Sequence, residues 1–294
     1  MSALLLGVVV ISWGLSWYAI ELQLGVVPPL VSIFYRFLLA AMLLIGLLAL
    51  SGRLRLIPLA RHGRLLGLGV CLFSMNFFCF YLAAEILPSG LLSVVFATAA
   101  IMGALNQRLF LGRPLSGRIL AGATFGVVGL TLLSWDSVVQ ADGGGSLLLL
   151  ALPFLGTYLF SLGNLLSAQL SQDHDLPNLV AHGMVYGAIV CLAICLAVGL
   201  PFPLPGDPLY WGSLLYLSGI ASVVAFLTYL TLVNREGPAR AAYATVLFPL
   251  VAMLVSTWLE GFVWTLWAAA GLLLALSGTA LVFSGPKEGR TASN

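Results

Sequence analysis

Apolar residues run along this chain in long blocks, each ended by a short cluster of Pro, Gly or charged residues. A hydrocarbon core about 30 Å thick is crossed by a helix of about 20 apolar residues. The blocks predict membrane-spanning helices near 3–20, 29–50, 64–84, 88–107, 116–134, 146–169, 177–198, 210–232, 238–258 and 264–284. These helices are apolar on every side, so periodicity does not say which face turns inward. The ten spans divide into two halves of five, residues 1–141 and 142–294, the second ending in a short cytoplasmic tail. Five is odd, so a second copy of the unit inserts upside down. The expected fold is therefore an all-α integral membrane protein, ten transmembrane helices as two inverted five-helix repeats. Inverted repeats of this kind frame a substrate site near the midplane of the bilayer, as in transporters.

Composition fixes the class. Hydrophobic residues make up 61% of the chain and charged residues 7%, with a mean hydropathy of +1.09. A soluble domain carries about 25% charged residues. The first block lacks a basic leader and is broken by Ser12, Trp13, Gly14, Ser16 and Trp17, which favours a retained helix over a signal peptide. Arg53, Arg55, Arg61 and Arg64 lie between spans 2 and 3, and Arg108, Arg113 and Arg118 between spans 4 and 5. Arg235 and Arg240 lie between spans 8 and 9, and Lys287 and Arg290 in the tail. With both termini cytoplasmic, all of these fall inside, while the outer loops carry only Glu21, Glu85, Asp136, Asp142, Asp207 and Glu260. The net charge of +2 thus reflects orientation signals and implies no nucleic-acid partner. Cys71, Cys79, Cys191 and Cys195 all fall inside spans and read as small packing residues, and no metal-ligand spacing or cofactor motif is present.

Residues 85–133 and 235–283 echo each other. Each begins at a proline, Pro88 and Pro238, and Gly122 and Gly129 match Gly271 and Gly278 at the same spacing of seven. Gly122-x-x-x-Gly126 and Gly271-x-x-x-Ala275 are close-packing patterns, which suggests that spans 5 and 10 meet each other or a second protomer. On Trp13-Gly14, on Arg36 within Phe34-Tyr35-Arg36-Phe37, on the proline-led spans 4 and 9, and on Phe248-Pro249-Leu250-Val251 followed by Trp258-Leu259-Glu260, the chain resembles the drug/metabolite transporter superfamily. The likeness is to its ten-span EamA-like branch, and within that branch to the YddG aromatic amino acid exporters. The resemblance implies a multi-pass protein of the bacterial inner membrane that exports aromatic and other apolar amino acids without an ATPase part or a cofactor. Its partners would be the substrate and the lipid bilayer, with a monomer as the simplest assembly. Ala99 stands where the family often has the proline seen at Pro249, and Arg113 near the place of the acid seen at Glu260. Span 4 is therefore expected to lack the kink expected in span 9.

Arg36 is the only basic residue inside a span, about 10 Å below the outer surface if counted from Pro29. It reads either as a bidentate anchor for a substrate carboxylate or as a structural arginine bonded to backbone carbonyls. Asn76 and Asn164 sit at central depth, as substrate ligands or as interhelical glue. His182 could line the pathway or bond a neighbouring helix. Trp17, Phe80, Tyr81, Tyr158, Tyr186, Tyr229 and Tyr243 are candidates for a greasy lining with a few hydroxyls, suited to a ring-bearing substrate. Pro88, Pro238 and Pro249 are candidate hinges, and also plain helix starts. No Asp or Glu lies at mid-span, which weighs against proton coupling and toward uncoupled facilitated diffusion. The alternative within the fold is a broad-range drug or metabolite exporter, whose proton coupling would need a site not visible in sequence. No His-Glu-x-x-His, paired membrane aspartates or nucleophile–base pair supports an enzyme. No polar stripe supports a channel, and one arginine is too few for a sugar-phosphate carrier.

Overall fold

A computed structural model describes residues 2–112, 114, 115, 117–133, 145–236 and 243–283. Every regular element among them is helical. In chain order these are α1 (Ser2–Glu21), α2 (Pro29–Leu50), a 3-10 turn (Leu59–Arg61), α3 (His62–Phe73), α4 (Met75–Ala84), α5 (Ser89–Ala97), α6 (Ala99–Leu111) and α7 (Gly117–Leu133). Then follow α8 (Gly145–Leu170), α9 (Leu176–Val198), α10 (Pro208–Leu215), a π-helix (Tyr216–Val224), α11 (Ala225–Glu236), α12 (Tyr243–Leu259) and α13 (Leu266–Phe283). Among the described residues, seven helical segments are long and apolar enough to cross a membrane: Ala3–Glu21, Pro29–Leu50, Leu59–Ala84, Ser89–Leu111, Ala151–Leu170, Leu176–Val198 and Pro208–Tyr229. Three shorter apolar helices, Gly117–Leu133, Ala244–Leu259 and Leu266–Leu281, fall where the sequence predicts spans 5, 9 and 10.

Proline starts several of these rods, where its missing N–H costs nothing. Pro29, Pro177 and Pro208 stand in the first turns of α2, α9 and α10, and Pro88 precedes α5. The Asp207 carboxylate accepts from Leu209 N–H at 2.9 Å and caps α10. Gly112 and Gly199 end α6 and α9 in the left-handed conformation that side chains resist.

An interruption falls in span 4 at a point where no proline stands. The rod carrying Pro249 runs unbroken through α12, whereas the rod lacking the matching proline breaks at Thr98, between α5 and α6. The Thr98 hydroxyl donates to the Val95 carbonyl at 2.6 Å, and Thr98 N–H bonds the same carbonyl at 3.0 Å. The last turn of α5 is thereby tightened, and the helical ladder restarts at Ala99. Ser74 does likewise between α3 and α4, donating to Gly69 and Val70 carbonyls at 3.0 and 3.1 Å. Hydroxyls, which compete with the backbone for carbonyls, make the breaks here.

Packing sorts the rods into three groups. α7 and α13 lie against each other so closely that a β-carbon on Gly271 would sit 2.5 Å from both Gly129 O and Leu133 N, and one on Gly278 2.5 Å from Gly122 O. The glycine spacing that echoes between the halves is therefore one intramolecular helix pair. α1, α2, the α10–π–α11 rod and α12 form a second group, and α3 to α6 with α8 and α9 a third. The second and third groups meet through α2 against α9, and through α1 and α12 against α5. At the end where α1 finishes and α5 starts, Tyr81 donates to Gln23 Oε1 at 2.6 Å. There the Glu260 carboxylate accepts from Ser89 N–H at 2.9 Å and from the Ser256 hydroxyl at 2.8 Å, so an acid that follows α12 caps α5. At the opposite end, Asn178 accepts from Arg55 N–H at 2.8 Å and donates to Arg53 O at 3.0 Å, and Arg61 pairs with Asp173 at 2.8 Å.

Replacing Gly271 with Leu is expected to cost stability by about 1–3 kcal/mol or more, because backbone cannot retreat as a side chain can. The thermal midpoint of the detergent-purified protein checks this against Gly46→Leu, whose position has no heavy atom within 4 Å. Glu260→Leu, which leaves Ser89 N–H and the Ser256 hydroxyl without their acceptor, is expected to cost about 1–3 kcal/mol in the same assay, and Glu260→Gln less.

Candidate substrate cavity

Between the second and third groups lies a cavity with a mostly aromatic lining. α1 presents Trp13, Ser16, Trp17 and Ile20 to it, the i, i+3, i+4, i+7 pattern of one helix face. α4 adds Phe77 and Phe80, α5 adds Phe96 and α8 adds Phe160. Ala221 of the π-helix, Phe226 of α11 and Phe248 of α12 complete the apolar wall. The rings interlock. Trp17 meets Phe80 edge-on at 5.1 Å and Phe96 at 5.6 Å, and Phe96 approaches Phe160 to 4.4 Å and Phe248 to 5.9 Å. Trp13 stands over Phe226 at 5.6 Å and Tyr229 at 5.2 Å. Such edge and tilted arrangements are the favourable ones for aromatic quadrupoles.

Arg36 of α2 is the one charged residue in the lining, and it is only 3% exposed. Its Nε donates to Ser222 Oγ at 3.3 Å. Its guanidinium carbon lies 4.3 Å from the Phe77 ring centre and 5.2 Å from that of Phe37. The Nη1 nitrogen is buried and has no acceptor. The aromatic faces attract the cation, but Nη1 keeps unmet donors in a site of low dielectric, where a missing partner is costly.

The π-helix explains how Ser222 comes to face Arg36. A π turn offsets the hydrogen-bond ladder by one residue and is frequent at functional sites. Here Trp13 Nε1 donates to Ala221 O at 3.2 Å, and Tyr216 OH donates to Ser12 O at 2.8 Å. These bonds fasten α1 to the π segment across the cavity wall. On α2, Ser32 and Tyr210 share a hydrogen bond at 3.0 Å one turn from Arg36, so the α2 face is pinned to the α10 rod as well.

Of the residues that the sequence singles out, Trp17, Arg36 and Phe80 line the cavity. Tyr229 stacks behind Trp13. Asn76 is fully buried with both amide atoms unpartnered, and its backbone oxygen faces Gly156 where α4 meets α8. Tyr81 donates to Gln23, and its hydroxyl also lies beside the Arg36 guanidinium. Tyr158 is half-buried and Asn164 exposed, the latter one turn beyond Phe160 on α8. His182 bonds its own helix through Asn178 O at 2.7 Å, and Tyr186 meets His62 Nδ1 at 2.5 Å, so both are held away from the cavity. Pro88 precedes α5 and Pro249 lies within α12. Pro238 and the Tyr243 side chain lie outside the described residues. Sequence reasoning did not choose Trp13, Ser16, Phe96, Phe226 or Phe248 as site residues. The signal that could have found the first two is their helical spacing with Trp17 and Ile20.

The family model for the EamA-like transporter family matches residues 1–135 and 146–284. The uncharacterized inner membrane transporter YedA of Escherichia coli strain K12 is 27% identical over 259 residues, covering 85% of this chain and 80% of its own length. The uncharacterized transporter YvbV of Bacillus subtilis is 26% identical over 298 residues, covering 99% and 94%. A protein of Escherichia coli K12 named "Probable amino-acid metabolite efflux pump" is 26% identical over 289 residues, covering 94% and 88%. A crystal structure superposes with a TM-score of 0.69 over 95% of each chain at 16% identity, which speaks to the fold alone. The chain is thus a multi-pass protein of the bacterial inner membrane and belongs to the EamA-like transporter family.

Proposed function

We propose that this protein exports aromatic and other apolar amino acids from the cytoplasm by alternating access, as uncoupled facilitated diffusion, in the manner of the YddG exporters that it resembles. The observation that carries the reading is Arg36, a buried guanidinium with an unpartnered nitrogen at the wall of an aromatic-lined cavity. A substrate carboxylate would pair with Nη1, and the ring would lie among Trp17, Phe80 and Phe96. The relative named as an amino-acid metabolite efflux pump supports the same substrate class.

The packing supports ten spans in two inverted five-helix repeats, with the three shorter helices crossing as well and both termini cytoplasmic. If the first five rods exchange places with the last five, the principal contacts map onto one another. α1 against α12 corresponds to α8 against α5 and α6, and α2 against the π-helix to α9 against α3, while α2–α9 and α7–α13 map onto themselves. One relation differs. α1 packs on α4 and α5 at the end held by Glu260, whereas among the described residues α8 makes no comparable contact with α11 or α12. That asymmetry supports a state with one side closed and the other open. In the proposed topology the closed side is the outer one. Asn164, one turn beyond Phe160, then lies on the cytoplasmic approach. The breaks at Ser74 and Thr98 and the π segment are places where the rods can bend, beside Pro88, Pro238 and Pro249.

A second reading, a proton-coupled exporter of broad range, rests on Glu21 and Glu260. Each has one buried carboxylate oxygen without a partner. Counterflow in proteoliposomes separates the two. Saturable exchange of labelled tryptophan and phenylalanine, unchanged when proton and sodium gradients are collapsed, is the expected result. Movement of a quaternary ammonium dye that needs a proton gradient, with no amino acid flux, would replace this reading with the second. Arg36→Leu is expected to reduce amino acid exchange by about 10–100-fold, the loss of one hydrogen-bonded charge pair.

A further inference from the structure

We infer that the cavity reads a carboxylate and an apolar ring but not an ammonium group, so that aromatic monocarboxylates without an amine are substrates of the same site. The inference rests on the transport reading above and names what that site recognises. None of the lining residues is acidic. Besides Arg36, the only polar side chain in the wall is Ser16, whose hydroxyl donates to Trp13 O at 2.7 Å. The Ala221 carbonyl at the wall already accepts from Trp13 Nε1. An ammonium carried into this space would find aromatic faces and no anion among the lining residues. It would also share a low-dielectric cavity with Arg36, and two cations there repel.

The carboxylate end is different. Phe77 covers one face of the guanidinium, Ser222 occupies Nε, and Nη1 remains buried without an acceptor. A charge-assisted pair at Nη1 relieves an unmet donor and neutralises a lone buried cation in one contact. Binding free energy is therefore concentrated at the acid group and the ring. Glu21 follows Ile20 on α1 and has a buried, unpartnered oxygen, so it is the acid through which an ammonium would be read if this inference were wrong.

The test is counterflow of labelled phenylalanine in proteoliposomes at neutral pH. The competitors are 3-phenylpropionate, which lacks the amine, and phenethylamine, which lacks the acid. Labelled 3-phenylpropionate is also followed directly, with protein-free vesicles subtracted. The expected result is that 3-phenylpropionate competes about as well as unlabelled phenylalanine, while phenethylamine is about 10–100-fold weaker, the worth of a hydrogen-bonded charge. Competition by phenethylamine without competition by 3-phenylpropionate overturns the inference, as does failure of both where phenylalanine itself competes. Saturable 3-phenylpropionate flux with no phenylalanine flux would end the amino acid reading and leave this one standing. Absence of both fluxes ends both. The comparison uses the wild-type protein, so no outcome depends on whether an Arg36 variant folds.

Discussion

A guanidinium buried in a membrane bundle with no acid beside it is an unbalanced charge, and the surrounding structure is arranged to tolerate it. Arg36 lies under the face of Phe77 and near that of Phe37, and leans on Ser222 through Nε. Ser222 is available because its rod departs from α-helical geometry into a π turn, and that turn is tied to α1 through Trp13 and Tyr216. The most unusual backbone in the molecule, its one buried cation in the cavity wall and its aromatic lining are thus parts of one arrangement. What that arrangement lacks is an acceptor at Nη1, and in the proposed function a transported carboxylate would supply it.

Around this site the rods pack in two groups, which the proposed transport cycle would move against each other. α7 and α13 interlock glycine against backbone and leave no room to slide. The other rods carry their breaks at Ser74, at Thr98 and in the π segment, all at the depth of the cavity. At Ser74 and Thr98, hydroxyls bond carbonyls of the preceding turn where the helical ladder is interrupted. At the end where α5 starts, Glu260 joins the two groups by capping α5, a bond that the proposed cycle would have to break to open that end.

Much of this was legible in the chain. The apolar blocks place most of the rods within a few residues, Arg36 stands out as a lone intramembrane cation, and the repeated glycines mark the α7–α13 pair. The remainder was hidden for physical reasons. A helix that is apolar on all sides carries no record of which face meets protein and which meets lipid, so Phe96, Phe226 and Phe248 looked no different from exposed Phe110 or Phe125. His182 satisfies itself on its own helix and Tyr186 is taken by His62, partnerships set by tertiary contact rather than by spacing. The interruption at Thr98 has no proline to mark it in the sequence; the Thr98 hydroxyl bonds the Val95 carbonyl there.

The central claim is that the unpartnered edge of Arg36 is where the substrate acid sits. The measurement that meets it most directly is a crystal structure of the protein bound to 4-bromophenylalanine, with the bromine located by its anomalous signal. The account predicts the carboxylate within hydrogen-bond distance of Arg36 Nη1 and the bromine among Trp17, Phe80 and Phe96. A bromine peak elsewhere, or a carboxylate bound away from Arg36 while Nη1 bonds a backbone carbonyl, would contradict it.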